Sequence, residues 1–349
     1  MTKSSKVAIL SLPYGPNYGC LLQQWALFTY VKQNGYDVKL LNRRWNRKKT
    51  LLGKIKTFFY LSFCIKPFSD FYKTMNHSVE IRSSNDLSKY ISQNGIDTVI
   101  VGSDQIWRIE NTRGADLNFF CDFVSDGVKK IAYAASFGNE KWMGSDEETL
   151  NIRRLIQRFH AVSVREKSGV CLCEKIFGQT AKHVVDPTLL LNESDYRPFI
   201  SKKKYPFLGT YILDNSEELS SKIKNITNKL NVKEIALYPR KKNLFGYKSV
   251  AQWLSCISNS DYMVIDSFHG LVFSIIFHKQ FLVLANKHRG ETRISSFLSD
   301  LGLEDRLVYD LNEESISLLE KVINYDLVEI KLSLLKEKSR DFLLKSLGA

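Results

Sequence analysis

Short apolar runs rich in β-branched residues alternate with segments of helical spacing almost from end to end of this chain. Lys6–Leu12 (KVAILSL) reads as a buried strand. Leu21, Leu22, Trp25, Phe28 and Val31 then recur at helical spacing, and Asn34-Gly35 stops that helix. Tyr36–Leu41 returns to a strand. The alternation predicts further strands at Asp97–Val101, Lys130–Ala134, Ala161–Val164, Phe207–Leu213, Lys233–Leu237, Tyr262–Ile265 and Gln280–Leu284, with helices between them. Two of the helix starts carry capping boxes, Ser145 with Glu148 and Ser249 with Gln252. Strands that alternate with helices pair in parallel, so the fold class is α/β. A length of 349 residues suggests two domains. The polar stretch Leu191–Lys204, with Pro198 and three consecutive lysines, separates them into 1–191 and 192–349, the last helix packing back on the first. The expected architecture is two Rossmann-like domains facing across a cleft, lined by the C-terminal strand ends where such sheets bind ligands.

Four strand ends carry chemistry. Tyr262–Ile265 stops at Asp266-Ser267-Phe268-His269-Gly270, and Leu271–Phe277 continues as a helix. A helix start aims backbone N–H groups and a positive dipole end at an anion. His269 fits a general acid or a phosphate contact, or a histidine that merely caps the turn. Ser267 fits a phosphate donor or a cap hydroxyl. The first strand ends in Pro13–Gly19, where Asn17, Tyr18 and Gly19 form a loop without the GxGxxG pattern; plain turn chemistry accounts for it equally. Gly102-Ser103-Asp104 follows the third strand, and Asp104 fits a base for a hydroxyl, a partner for Arg165, or a turn-forming cap. Arg165 ends the strand Ala161–Val164; its guanidinium can hold a carboxylate or phosphate through two parallel hydrogen bonds, or pair with Glu166. Arg293 either adds charge to the cleft or is solvated.

Fifty Lys and Arg against 37 Asp and Glu give a net charge of +13. Such an excess suits nucleic acid, a membrane surface or an anionic substrate. No nucleic-acid module is present in the pattern, so nucleic acid is not an expected partner. Arg43–Lys56 holds seven basic residues and no acid, and runs into TFFYLSFCI. Residues 43–65 therefore read either as a solvated basic loop before a core helix or as a peripheral contact with anionic lipid. No run reaches the roughly 20 apolar residues that span a bilayer, and the first residues lack signal-peptide features, so a cytoplasmic location is expected. The six cysteines are scattered, with Cys171 and Cys173 the one close pair. They read as reduced thiols, and no metal is expected.

Six motifs then occur together in order: NYGCLLQQWAL (Asn17–Leu27), VGSDQIW (Val101–Trp107), IAYAASFG (Ile131–Gly138), VSVREKSG (Val162–Gly169), VVDPTLLL (Val184–Leu191) and DSFHGLVFSIIF (Asp266–Phe277). With Arg293-Ile294 and LGLEDR (Leu301–Arg306), they resemble the polysaccharide pyruvyl transferase family over about residues 6 to 310. The resemblance implies a fold like the two-domain GT-B glycosyltransferases. It implies phosphoenolpyruvate as co-substrate with no further cofactor, and transfer of its three-carbon unit to a sugar in a cell-surface polysaccharide precursor. A lipid-linked acceptor at the inner membrane face would suit the basic segment. Under this reading His269 and Asp104 are catalytic. Arg165, Ser267, Gly270 and Arg293 bind the donor, while Asn17, Tyr18, Gly19 and Ser103 line the acceptor side. Two other readings use the same fold. A nucleotide-sugar glycosyltransferase needs an acidic ribose-binding residue after a late strand, where this chain has the basic run Ala285–Arg289. A non-catalytic module for a polyanion or protein partner would not need His269 and Arg165 together.

Overall fold

The computed structural model describes residues 5–45, 64–112, 114–202, 205–239, 246–286 and 291–348. They form two compact units, and each holds one all-parallel sheet. Unit 1 comprises 1–53, 70–191 and 334–349; unit 2 comprises 54–69 and 192–333.

Unit 1 contains β1 (Lys6–Leu10), β2 (Asp37–Leu40), β3 (Thr98–Gly102), β4 (Lys129–Ala135), β5 (Ala161–Val164) and β6 (Lys182–His183), in the spatial order β2-β1-β3-β4-β5-β6. Unit 2 contains β7 (Phe207–Tyr211), β8 (Lys233–Ala236), β9 (Tyr262–Ile265), β10 (Gln280–Leu284) and β11 (Leu307–Val308), in the order β11-β10-β9-β7-β8. Read from the other edge, the second order repeats the first. Each sheet starts in its interior, adds its second strand on one side and the later strands on the other. The strand order thus reverses between β1 and β3, and between β7 and β9. At such a switch point the connections diverge and leave a crevice at the strands' C-terminal ends. The central strands are apolar on both faces, as a sheet covered by helices requires; Val99, Ile100 and Val101 have no exposed surface.

Helix α1 (Tyr18–Gln33) is capped by Asn17, whose side chain accepts from the Cys20 N–H at 3.1 Å. Most of this helix is buried on every side, and its exposed polar residues, Lys32 and Gln33, come only at its end. Gln23 and Gln24 are polar and buried, and both are hydrogen-bonded inside. Ser145 and Ser249 each close the expected capping box, at α2 (Asp146–Ile156) and α3 (Val250–Asn259).

Gly102 at the end of β3 faces Tyr133 of β4 in register. A Cβ there would lie 2.3 Å from the Tyr133 carbonyl oxygen, which the sheet holds in place. Gly102→Ala is expected to lose about 1–3 kcal/mol or more, as overpacking against fixed backbone does. A denaturant midpoint equal to wild type would contradict this.

The last helix, α4 (Tyr325–Leu347), belongs to unit 2 as far as Ser333 and to unit 1 from Leu334. In unit 1 Ser339 Oγ accepts from the Val185 N–H at 3.0 Å and Arg340 Nε donates to the Leu190 carbonyl at 3.1 Å. Among described residues, 64–69 group with unit 2, where fully buried Phe68 meets the Tyr247 ring edge-on at 5.8 Å.

The start of the basic segment differs from expectation. Arg43 is 2% exposed; its Nε donates to Asn118 Oδ1 at 2.7 Å and its guanidinium also bonds the Arg44 carbonyl. Arg44 stacks 3.9 Å over the Tyr14 ring. Arg43 is thus committed to the interior of unit 1, while Arg44 is part-buried against Tyr14; residues 46–63 lie outside the described residues. Among those described, no helix is long and apolar enough to cross a membrane.

Candidate functional site

In unit 1 the crevice between β1 and β3 is closed by a buried polar network. Gln23 reaches from α1 to both strands: its Nε2 donates to Ser11 Oγ at 2.9 Å and its Oε1 accepts from the Ser103 N–H at 3.1 Å. Ser103, wholly buried, donates its hydroxyl to the Ala134 carbonyl at 3.0 Å. Its predicted place on an acceptor-binding surface is therefore corrected: Ser103 is an internal strut. Tyr18 is likewise fully buried, and Gly19 lies buried in the first helical turn. Of the predicted loop residues, Asn17 alone is exposed, and its side chain is the helix cap.

Two non-glycine residues here adopt left-handed backbone, Asp104 at φ 64° and Ala134 at φ 51°. Ala134 lies where the β4–β5 register shifts, and Ser163 spans the shift by donating to Ala132 O and accepting from Ala134 N–H. Strained backbone of this kind persists only where its surroundings hold it, and it concentrates at functional sites. Asp104 is held by its carbonyl, which accepts from the Ile106 and Ser136 N–H groups at 2.8 and 3.0 Å.

Beside Asp104 stands Arg165, whose side chain is 2% exposed. Its NH1 donates to Asp186 Oδ2 at 2.8 Å, its Nε to Glu166 Oε1 at 3.4 Å, and its NH2 lies 3.7 Å from Asp104 Oδ1. Burial works against the charged guanidinium, yet Glu166, Asp186 and Asp104 together outweigh it and push its pKa above the usual arginine range. Three carboxylates around one guanidinium neutralise it and surround it. Arg165 as placed is a hub that orients Asp104, and it presents little positive charge to an anionic donor. Asp186 is itself anchored by the Thr188 N–H and hydroxyl at 3.0 and 2.7 Å, and Glu166 accepts from Ser136 Oγ at 2.6 Å. Gln23, Ser136 and Asp186 are the residues that sequence reasoning missed as site components. Asp186 stood in a recognised motif, but nothing local tied it to Arg165. Cys20 lies beside the same cluster; burial, with Asp104 nearby, pushes its thiol far up, so it is no thiolate nucleophile.

In unit 2 the turn Asp266–Gly270 occupies the crevice between β7 and β9. Asp266 is 2% exposed, and its carboxylate accepts from the Leu213 and Asp214 N–H groups at 2.9 to 3.1 Å, tying the ends of the two strands together. The preference for aspartate is clear: a carboxylate satisfies two backbone donors that the diverging chain leaves behind. Ser267 caps the following helix, Phe268–Ile276, by accepting from the Gly270 N–H at 3.1 Å. Its own hydroxyl proton remains to be donated elsewhere. Gly270 has no room for a side chain, since a Cβ would meet Ser267 Oγ at 2.9 Å and Tyr211 Cδ1 at 3.1 Å. With its N–H given to Ser267, Gly270 acts by letting the helix approach β7 and β9, which replaces the direct anion contact expected of it. His269 is the second residue of this helix and is part-buried. The helix Glu291–Leu301 packs beside it, with Phe297 5.8 Å from Phe268, and carries part-buried Arg293 on its first turn.

The family model for polysaccharide pyruvyl transferase matches residues 17–288, which contain both turns. This chain belongs to the polysaccharide pyruvyl transferase family. No curated protein gives a significant match. Among solved structures, this chain is similar to an Arabidopsis thaliana protein complexed with UDP-L-rhamnose (TM-score 0.55, 11% identity, 99% of each chain covered). It is also similar to the UDP-GlcNAc 2-epimerases of Methanocaldococcus jannaschii (TM-score 0.53, 13% identity, 91% of this chain and 93% of that) and Neisseria meningitidis (0.51, 13%, 98% and 100%). At these identities the likeness speaks for the fold, which is GT-B-like with two Rossmann-like domains.

Proposed function

We propose that this pyruvyl transferase moves the three-carbon unit of phosphoenolpyruvate onto two hydroxyls of one sugar, as a cyclic ketal, in a cell-surface polysaccharide or its lipid-linked precursor. The observation that carries the reading is the placing of Ser267 and His269 on a helix start at the β7/β9 switch point. A helix start there suits a phosphate, and a histidine beside it suits proton transfer. The first-turn amides of Phe268 and His269, the Ser267 hydroxyl and Arg293 are assigned the donor's anionic groups. His269 gives a proton to the methylene carbon, which turns it into a methyl group and makes the neighbouring carbon electrophilic. A sugar hydroxyl adds to that carbon and loses its proton to Asp104. The C–O bond to phosphate breaks with its electron pair on oxygen, and inorganic phosphate leaves. A second hydroxyl of the same sugar closes the ring and gives its proton back to His269, so two C–O bonds form for one C–O bond and one C=C π bond lost. Arg165 serves by holding Asp104. No resident cofactor is required by this scheme. Work on a lipid-linked acceptor places the protein at the cytoplasmic face of the membrane.

The test is incubation with phosphoenolpyruvate and a panel of oligosaccharides, read by mass spectrometry and phosphate release. The expected product is heavier by pyruvic acid less one water, with one phosphate released per transfer. Thermal stabilisation by a nucleotide sugar and none by phosphoenolpyruvate would reverse the reading in favour of a glycosyltransferase.

A further inference from the structure

Unit 1 also contains a cavity of about 560 Å³ where β5 begins, between β6 and the C-terminal half of α4. Lys182, Lys338 and Lys345 line the cavity against one carboxylate, Asp341, a formal surplus of two positive charges with its histidines neutral. Lys345 meets Asp341 at 3.4 Å, while Lys182 and Lys338 have no carboxylate within ion-pair reach among the described residues. Phe342 forms part of the wall and is steadied from behind by the Tyr133 ring at 6.4 Å. His183 lines the same space and holds the Arg165 carbonyl with its Nε2 at 3.1 Å.

The volume suits a small molecule, since ligand pockets span roughly 300–1,000 Å³. The charge selects an anion, and the long lysine side chains suit phosphate or carboxylate equally as point charges. The aromatic wall selects a ligand that also has an apolar face, which a sugar ring supplies and a bare inorganic anion does not. We propose that this cavity binds an anionic saccharide, either a sugar phosphate or a sugar carboxylate, at a site separate from the turn Ser267–Gly270. The saccharide part rests on membership of a polysaccharide-modifying family and not on the assignment of donor or acid, so the two readings fail independently.

The experiment is calorimetric titration of the full chain with glucose 1-phosphate and with glucuronate, the two arms that tell phosphate from carboxylate. Glucose and inorganic phosphate serve as the partial ligands. The expected result is that one anionic sugar binds at least about tenfold more tightly than either partial ligand. Replacing the three exposed lysines together (Lys182→Gln, Lys338→Gln, Lys345→Gln) should weaken it by a similar factor without moving the melting temperature. Phe342→Ala should weaken the sugar more than inorganic phosphate, and His269→Ala should leave binding intact. Unchanged affinity in the lysine variant overturns the proposal, as does loss of binding in His269→Ala. Equal affinity for glucose or for inorganic phosphate removes the anionic or the saccharide half respectively. Absence of binding by both anionic sugars overturns it outright.

Discussion

His269→Ala is expected to lower turnover by about 10²–10⁴-fold, the range typical of removing a positioned general acid, while leaving the melting temperature nearly unchanged. The fold should not notice the change. His269 is only part-buried, it is not the helix cap, and the cap bond from Gly270 N–H to Ser267 Oγ does not involve it. Phosphate release from phosphoenolpyruvate in the presence of an accepted sugar is the measurement. A second variant separates two roles. If His269 only holds phosphate, His269→Gln keeps a donor and should raise KM with kcat largely preserved. If it delivers the proton, kcat falls with either substitution, because an amide has no proton to give at neutral pH. Normal kcat in both variants would remove histidine from the chemistry altogether.

Arg165→Met should destabilise unit 1 by about 3–5 kcal/mol. That is the usual cost of leaving buried charge uncompensated. The magnitude follows from what remains. Asp186 and Glu166 are 1% and 8% exposed, and Asp104 is 9% exposed, so water cannot replace the guanidinium. Chemical denaturation measures the loss, and a shift below about 1 kcal/mol would mean that the cluster is looser than its geometry. Asp186→Asn in the same background should cost less than it does alone, because its charge then has no partner to lose. A coupling of about 0.5–3 kcal/mol in that cycle is expected for groups in direct contact. Arg165→Lys should not restore wild-type stability, since one ammonium cannot serve nitrogens that face three different carboxylates.

These two residues show how unevenly the site could be read from the chain. His269 is legible because everything that makes it a candidate is local: an apolar strand, Asp266, a cap serine, a glycine and an apolar helix follow one another within sixteen residues. Arg165 was legible as a residue but not as a hub. Glu166 is its neighbour, whereas Asp104 and Asp186 lie 61 and 21 positions away in the chain and meet it only because β3, β4, β5 and β6 pair in parallel. Arg43 shows the opposite error. Within a run of seven basic residues it looks solvated, yet it is inserted beside Asn118, 75 positions on.

By itself the sequence determined the α/β class, the positions of nine of the eleven described strands, the two capping boxes at Ser145 and Ser249, the family, and the composition of both turns; the two-residue edge strands β6 and β11 are too short to show a pattern. Those features depend on periodicity and on hydrogen bonds between residues a few positions apart. Tertiary structure decided the strand order, and with it the two switch points that turn Asp266–Gly270 and Gly102–Asp104 into crevices. It also decided that Ser103 and Arg43 face inward, that Gly102 must lack a side chain, and that Arg165 spends its charge on carboxylates. The physical reason is shared by all of these: which strand lies beside which is settled by pairing between distant segments, and burial follows from that pairing rather than from the character of the residue.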